Sequence, residues 1–158
     1  MNPDAGKGLP QVAPDAGERE AGTRIDDVVP TYGYALPPMV GIGGSAGAFR
    51  PLQAFFENVP ADTGMVFVVV MHLAPDHASV LPQMIQKWTA MPVSQAVDGE
   101  AVAANRVYVI PPGKHLTASD GLLRLAELER ERGRRVAVDL FFRSLADSHG
   151  AHATAIVL

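Results

Sequence analysis

The seven residues Met65-Val66-Phe67-Val68-Val69-Val70-Met71 are all apolar, and four of them are valine. A β-branched run of this length with no polar interruption predicts a strand covered on both faces, as a central strand of a parallel sheet is. Such a sheet needs helices on each side. From Val40 onward the sequence supplies them, because short apolar runs alternate with amphipathic stretches of helix length. The fold class predicted is therefore α/β, a doubly wound parallel sheet with helices on both faces in a Rossmann-like three-layer arrangement. Residues 1–37 hold many Pro and Gly and show no apolar period, which predicts a disordered leader. Residues 38–158 are expected to form one domain.

Within that domain the pattern predicts a strand at Val40–Gly43, a glycine-rich turn, and a helix over Phe49–Glu57 stopped by Pro60. After the Met65–Met71 strand, a helix is expected over Ser79–Trp88 with Pro82 starting or bending it. Strands follow at Pro92–Val97 and Val107–Ile110. Ser119-Asp120-Gly121 lies between two apolar runs, Leu116–Ala118 and Leu122–Leu125, which is the signal of a small β-hairpin insertion. Arg130–Arg135 reads as a solvated loop. Asp139 is expected to cap a helix over Leu140–Ser148, with Gly150 as its stop. Thr154–Leu158 closes the sequence as an apolar strand of the kind normally found centrally.

Composition narrows the chemistry. There is no cysteine, so disulfides, thiolate nucleophiles and cysteine-ligated metals are excluded. With 13 Lys and Arg against 17 Asp and Glu, the net charge is −4, which offers no broad positive field for a nucleic acid. No apolar run approaches the ~20 residues of a membrane span, and no secretory signal opens the chain. A cytoplasmic protein without membrane insertion is expected, and neither a cofactor nor a metal is called for.

The strongest chemical signal is Gly43-Gly44-Ser45-Ala46-Gly47. Glycines here are expected to allow a tight turn with positive φ and to leave the Ser45 hydroxyl uncrowded. The segment fits the G-x-S-x-G nucleophile elbow. With Gly41, Gly43 and Ala46 it also fits the G-x-G-x-x-A dinucleotide fingerprint. A dinucleotide site wants an acidic residue at the end of the second strand, and this chain has His72 there. If the two strands are neighbours, their ends lie about 4.8 Å apart on one edge, and His72 comes within reach of Ser45. A serine beside an imidazole is the pair that nucleophilic acyl transfer requires. The plainer alternative is that Ser45 merely caps a helix and His72 a strand.

Four segments in order, Gly41–Gly47, Val68–His77, Val107–Gly113 and Val138–Ala146, resemble the catalytic domain of the chemotaxis protein-glutamate methylesterases (CheB-type). The resemblance runs from about Val40 to Leu158. It implies a bacterial serine carboxylic ester hydrolase of chemotaxis signalling that removes γ-glutamyl methyl esters from methyl-accepting chemoreceptors, releases methanol, and also deamidates receptor glutamines. Ser45 is then the nucleophile, His72 its base, and the Ala46 amide part of the oxyanion hole. The third triad member in that family is an aspartate in a glycine-rich loop directly after the strand matching Ala153–Leu158, and it is not in this chain. Asp76, Asp98, Asp120, Asp139 and Asp147 fall elsewhere in the pattern. A catalytically dead interaction module is a further alternative, since the chain holds no third triad acid. The expectation is an N-terminal fragment with little or no activity alone, without room for a receiver domain in its leader, and with a methyltransferase module possible downstream.

Other residues are read more blandly. His77 is a surface residue and His115 a candidate contact at the site rim. His149 and His152 are too isolated to ligate a metal. Arg143 is expected in solvent, and Trp88 with the phenylalanines in the core.

Overall fold

The computed structural model describes residues 36–71, 80–127 and 136–158. The readings of the leader, of Arg130–Arg135, and of His72, Asp76 and His77 lie outside the described residues, except that Leu36 and Pro37 are described.

The apolar run forms β2 (Val66–Met71), with every residue buried. β1 (Met39–Gly44) pairs with it in parallel, and β5 (Arg106–Val109) pairs on its other side. β3 (Val93–Gln95) lies outside β5, and β8 (Ala153–Val157) lies against β1. The order β3-β5-β2-β1-β8 is parallel throughout. A second sheet, β4 (Glu100–Ala101), β7 (Leu122–Glu127) and β6 (Lys114–Ser119), is antiparallel.

The two-residue period of the strands sorts their side chains into two cores. Val40, Ile42, Phe67, Val69, Met71, Val107 and Val109 face one way, where α1 (Phe49–Asn58) and α2 (Leu81–Gln86) bury Leu52, Phe56, Leu81 and Ile85. Met39, Val66, Val68, Val70 and Tyr108 face the other, against the small sheet and α3 (Val136–His149). The α/β expectation with helices on both faces is met. In the first core Phe55, Phe56 and Phe67 meet edge-on, with ring centroids 5.3 to 6.0 Å apart. Each such pair adds about 0.5–1.5 kcal/mol beyond the area it buries. In the second, Ser144 Oγ on α3 accepts the Ala118 amide of β6 at 3.0 Å and donates to the Phe141 carbonyl at 2.8 Å, which clamps the helix to the small sheet.

The hairpin forms as expected. Asp120 and Gly121 both have positive φ (49° and 75°), as a two-residue type I′ turn requires. Four expectations need correction. Asp139 does not cap a helix beginning at Leu140; the helix already includes Val136, and the Asp139 carboxylate pairs with Arg143 one turn on, at 3.1 Å. Thr154–Leu158 is not central among the described strands: β8 is the outer strand, and Val157 is 75% exposed. The strand read at Pro92–Val97 shortens to three residues. The glycines at 43, 44 and 47 are not in the positive-φ region, and their role is a matter of packing. No described helix is long and apolar enough to cross a membrane.

Candidate active site

All five strands of the main sheet are parallel, so their C-terminal ends share one edge. β1 ends there at Gly44, in register with Met71, the last residue of β2. The Ile110 amide donates to the Val69 carbonyl at 3.0 Å, which brings the start of the Pro111-Pro112-Gly113 loop to this edge. The Leu158 amide donates to the Gly43 carbonyl at 2.9 Å and brings the end of β8 there too.

Ser45 follows β1 directly. Its backbone is extended (φ −117°, ψ −170°), and it precedes a single 3-10 turn, Ala46–Ala48, that leads into α1. The turn is closed by the Ala48 amide donating to the Ser45 carbonyl at 2.9 Å. The hydroxyl makes no capping hydrogen bond, and the residue is exposed. Ser45 is thus the N-cap of the turn by position, without a side-chain bond to it. The Ala46 and Gly47 amides open the turn and have no acceptor within it. Thus Ser45 and the Ala46 amide are brought together. His72 lies outside the described residues, and the described chain brings its predecessor, Met71, level with Gly44.

The glycines of β1 explain how the strand fits. A Cβ on Gly41 would lie 2.9 Å from both Leu145 Cδ2 and Phe141 Cε1, and one on Gly43 would lie 2.4 Å from Val138 Cγ1 and 3.0 Å from Phe142 Cζ. Both glycines therefore sit under α3, inside the strand. A dinucleotide fingerprint needs its glycines in the turn after the strand, so the G-x-G-x-x-A match does not correspond to such a site. Sequence reasoning missed Val138 and Phe142 as partners of this strand. The available signal was the two-residue spacing of Gly41 and Gly43, which puts both on one face.

The remaining candidates separate. His115, on β6, has a buried Nδ1 without a hydrogen-bond partner among the described residues. His149 is 5% exposed at the end of α3, and its Nδ1 lies 2.6 Å from Ser148 Oγ. Burial, with a smaller contribution from His152, lowers its pKa from the ordinary histidine value. Arg143 is exposed and paired with Asp139. Asp98 accepts the Leu125 amide at 2.9 Å, and Asp120 is spent in the hairpin turn. Among the described residues no three His, Asp or Glu converge as a metal site would require.

The CheB methylesterase family model matches residues 40–158, from the second residue of β1 to the end of the chain. This chain belongs to the CheB methylesterase family. The protein-glutamate methylesterase/protein-glutamine glutaminase 2 of Xanthomonas oryzae pv. oryzae is 34% identical over 124 residues, covering 76% of this chain and 34% of that protein. The protein of the same description from Burkholderia pseudomallei is 32% identical over 125 residues, covering 78% and 36%. This chain spans about a third of the length of these curated CheB relatives. The crystal structure of the Thermotoga maritima CheB methylesterase catalytic domain superposes with a TM-score of 0.69 at 28% identity, covering 77% of this chain and 66% of that one. The CheB relationship thus extends over both sheets and the Ser45 turn.

Proposed function

We propose that this chain carries the nucleophile and the base of a serine-type protein-glutamate methylesterase acting on methylated chemoreceptors in the cytoplasm. The observation that carries the reading is the exposed, uncapped Ser45 at the end of β1, one residue beyond a register that sets Gly44 beside Met71. On this reading His72, the residue after Met71, is the base for the Ser45 hydroxyl.

In the proposed reaction His72 accepts the Ser45 proton as Oγ attacks the γ-carbonyl of a methyl glutamate. The Ala46 amide donates to the oxyanion, where fixed dipoles contribute most. The C–O bond then breaks, and methanol leaves with the proton from His72. Water, deprotonated by the same imidazole, hydrolyses the acyl-enzyme to free glutamate and Ser45. A receptor glutamine would follow the same path with ammonia as the leaving group. The orienting carboxylate is expected beyond Leu158, in the loop that the family places after this strand. Without that partner a related triad loses about 10⁴ in turnover, so these 158 residues should turn over methyl esters very slowly. A downstream methyltransferase module and a place in phosphorelay signalling are part of the same proposal.

A fluorophosphonate, which captures an activated serine, tests the reading. Labelling should map to Ser45, vanish in Ser45→Ala and weaken in His72→Ala. A folded chain extended through the glycine-rich loop that remained unlabelled would refute it and leave an interaction module.

A further inference from the structure

The geometry points to Val138 and Phe142 of α3 as positioning residues for the Ser45 turn; the functional part of this inference rests on Ser45 being the nucleophile. Gly43 and Gly44 directly precede Ser45, and two successive glycines give the backbone no stiffness of its own. The ladders to β2 and β8 hold them within the sheet, and what fixes them perpendicular to it is contact. Val138 Cγ1 and Phe142 Cζ occupy the space where a Cβ on Gly43 would be, at 2.4 and 3.0 Å. From the other side of the turn, Ala48 Cβ lies 2.6 Å from where a Cβ on Gly44 would be. The end of β1 is therefore held between α3 and the first residues after Ser45.

The platform is itself rigid. Phe141 and Leu145, on the same stripe of α3, are fully buried against Gly41, and the Ser144 hydroxyl ties the helix to β6. Val138 and Phe142 are the members of that stripe nearest the reacting group. Neither touches the hydroxyl; they act through Gly43. Their role depends on shape, since removing the methyls of Val138 opens a gap under a backbone that can move to fill it. Displacement of a nucleophile by about 1 Å can cost as much as ~10²-fold in rate.

The test compares Val138→Ala, which removes both γ-methyls, with Val138→Thr, which keeps the shape and sets a hydroxyl among the apolar neighbours of a half-buried site. Three quantities are measured on the 158-residue chain: the rate constant for fluorophosphonate labelling of Ser45, the Tm, and the hydrogen exchange of the Ser45–Gly47 amides. Val138→Ala should slow labelling about tenfold or more and speed exchange at those amides. Val138→Thr should lower the Tm at least as much yet label within about twofold of wild type. Equal labelling by wild type and Val138→Ala would overturn the inference, and so would equal losses in both variants, which would mean that stability and not shape governs the site. If wild type itself does not label, these 158 residues hold no activated serine on their own, and the nucleophile reading is decided by the extended chain. The positioning inference is then decided by exchange, with faster exchange in Val138→Ala alone supporting it and unchanged exchange overturning it.

Discussion

Gly43 and Gly47 flank Ser45 in one short motif, yet the structure gives them opposite tolerance. Gly43→Ala would press a methyl into Val138 Cγ1, whereas the corresponding position on Gly47 has nothing within 4 Å. Overpacking of this kind costs about 1–3 kcal/mol. Gly43→Ala should therefore lose that much in urea unfolding, and Val138→Ala in the same chain should restore part of it. Gly47→Ala should stay within about 0.5 kcal/mol of wild type. A second residue-scale prediction concerns His149, whose burial and proximity to His152 lower its pKa from the ordinary value. The folded state binds the proton less tightly than the unfolded state does. The stability contribution is fully present above the ordinary histidine pKa and is lost as pH falls from there through the lowered one. Unfolding free energies compared at about pH 7.5 and about pH 5.5 should show a smaller difference in His149→Gln than in wild type.

Among the elements, the hairpin and α3 carry the clearest consequences. Gly121 has φ +75°, and a Cβ there would lie 2.6 Å from Leu36 Cδ2. Gly121→Ala should thus destabilise by more than about 1 kcal/mol, since strain and overlap add. Ser144→Ala removes the acceptor of the Ala118 amide and should cost about 1–3 kcal/mol, the range for a buried donor left unpaired. Denaturant titration checks both. Elements announced by local chemistry were legible from sequence: the all-apolar run of β2, Pro60 after α1, and the Asp120-Gly121 turn. Those that depend on partners far along the chain were not. Glu100–Ala101 has too few residues for any period, and it is a strand only because β7 lies beside it. Asp139 looked like a cap because short polar residues favour that position, yet helical residues precede it and Arg143 takes its carboxylate.

For the whole molecule, parallel strands near the α-helical motifs were readable, but their order was not. That β5 inserts between β2 and β3 is decided by long-range pairing. Ser45 could be singled out because a serine among small residues after a strand is a local pattern. The packing that supports it could not, because Gly43 and Val138 come from opposite ends of the domain. The sheet also implies a gradient of protection. β2 is paired on both sides and buried on both faces, whereas β8 is paired only with β1 among the described strands. Hydrogen exchange should be slowest at the Val68–Val70 amides and faster, by orders of magnitude, at the β8 amides that point away from β1; equal protection in the two strands would contradict this order.

The seat of Gly43 beneath α3 also has a consequence in time. During synthesis β1 and the serine that follows it emerge well before Val138 and Phe142. Contacts that join distant parts of a chain form late, because a long loop must close before they return any free energy. Until α3 docks, the strand end is a pair of glycines with one flank bare. The nascent chain should therefore hold an unripe serine until α3 has emerged and docked.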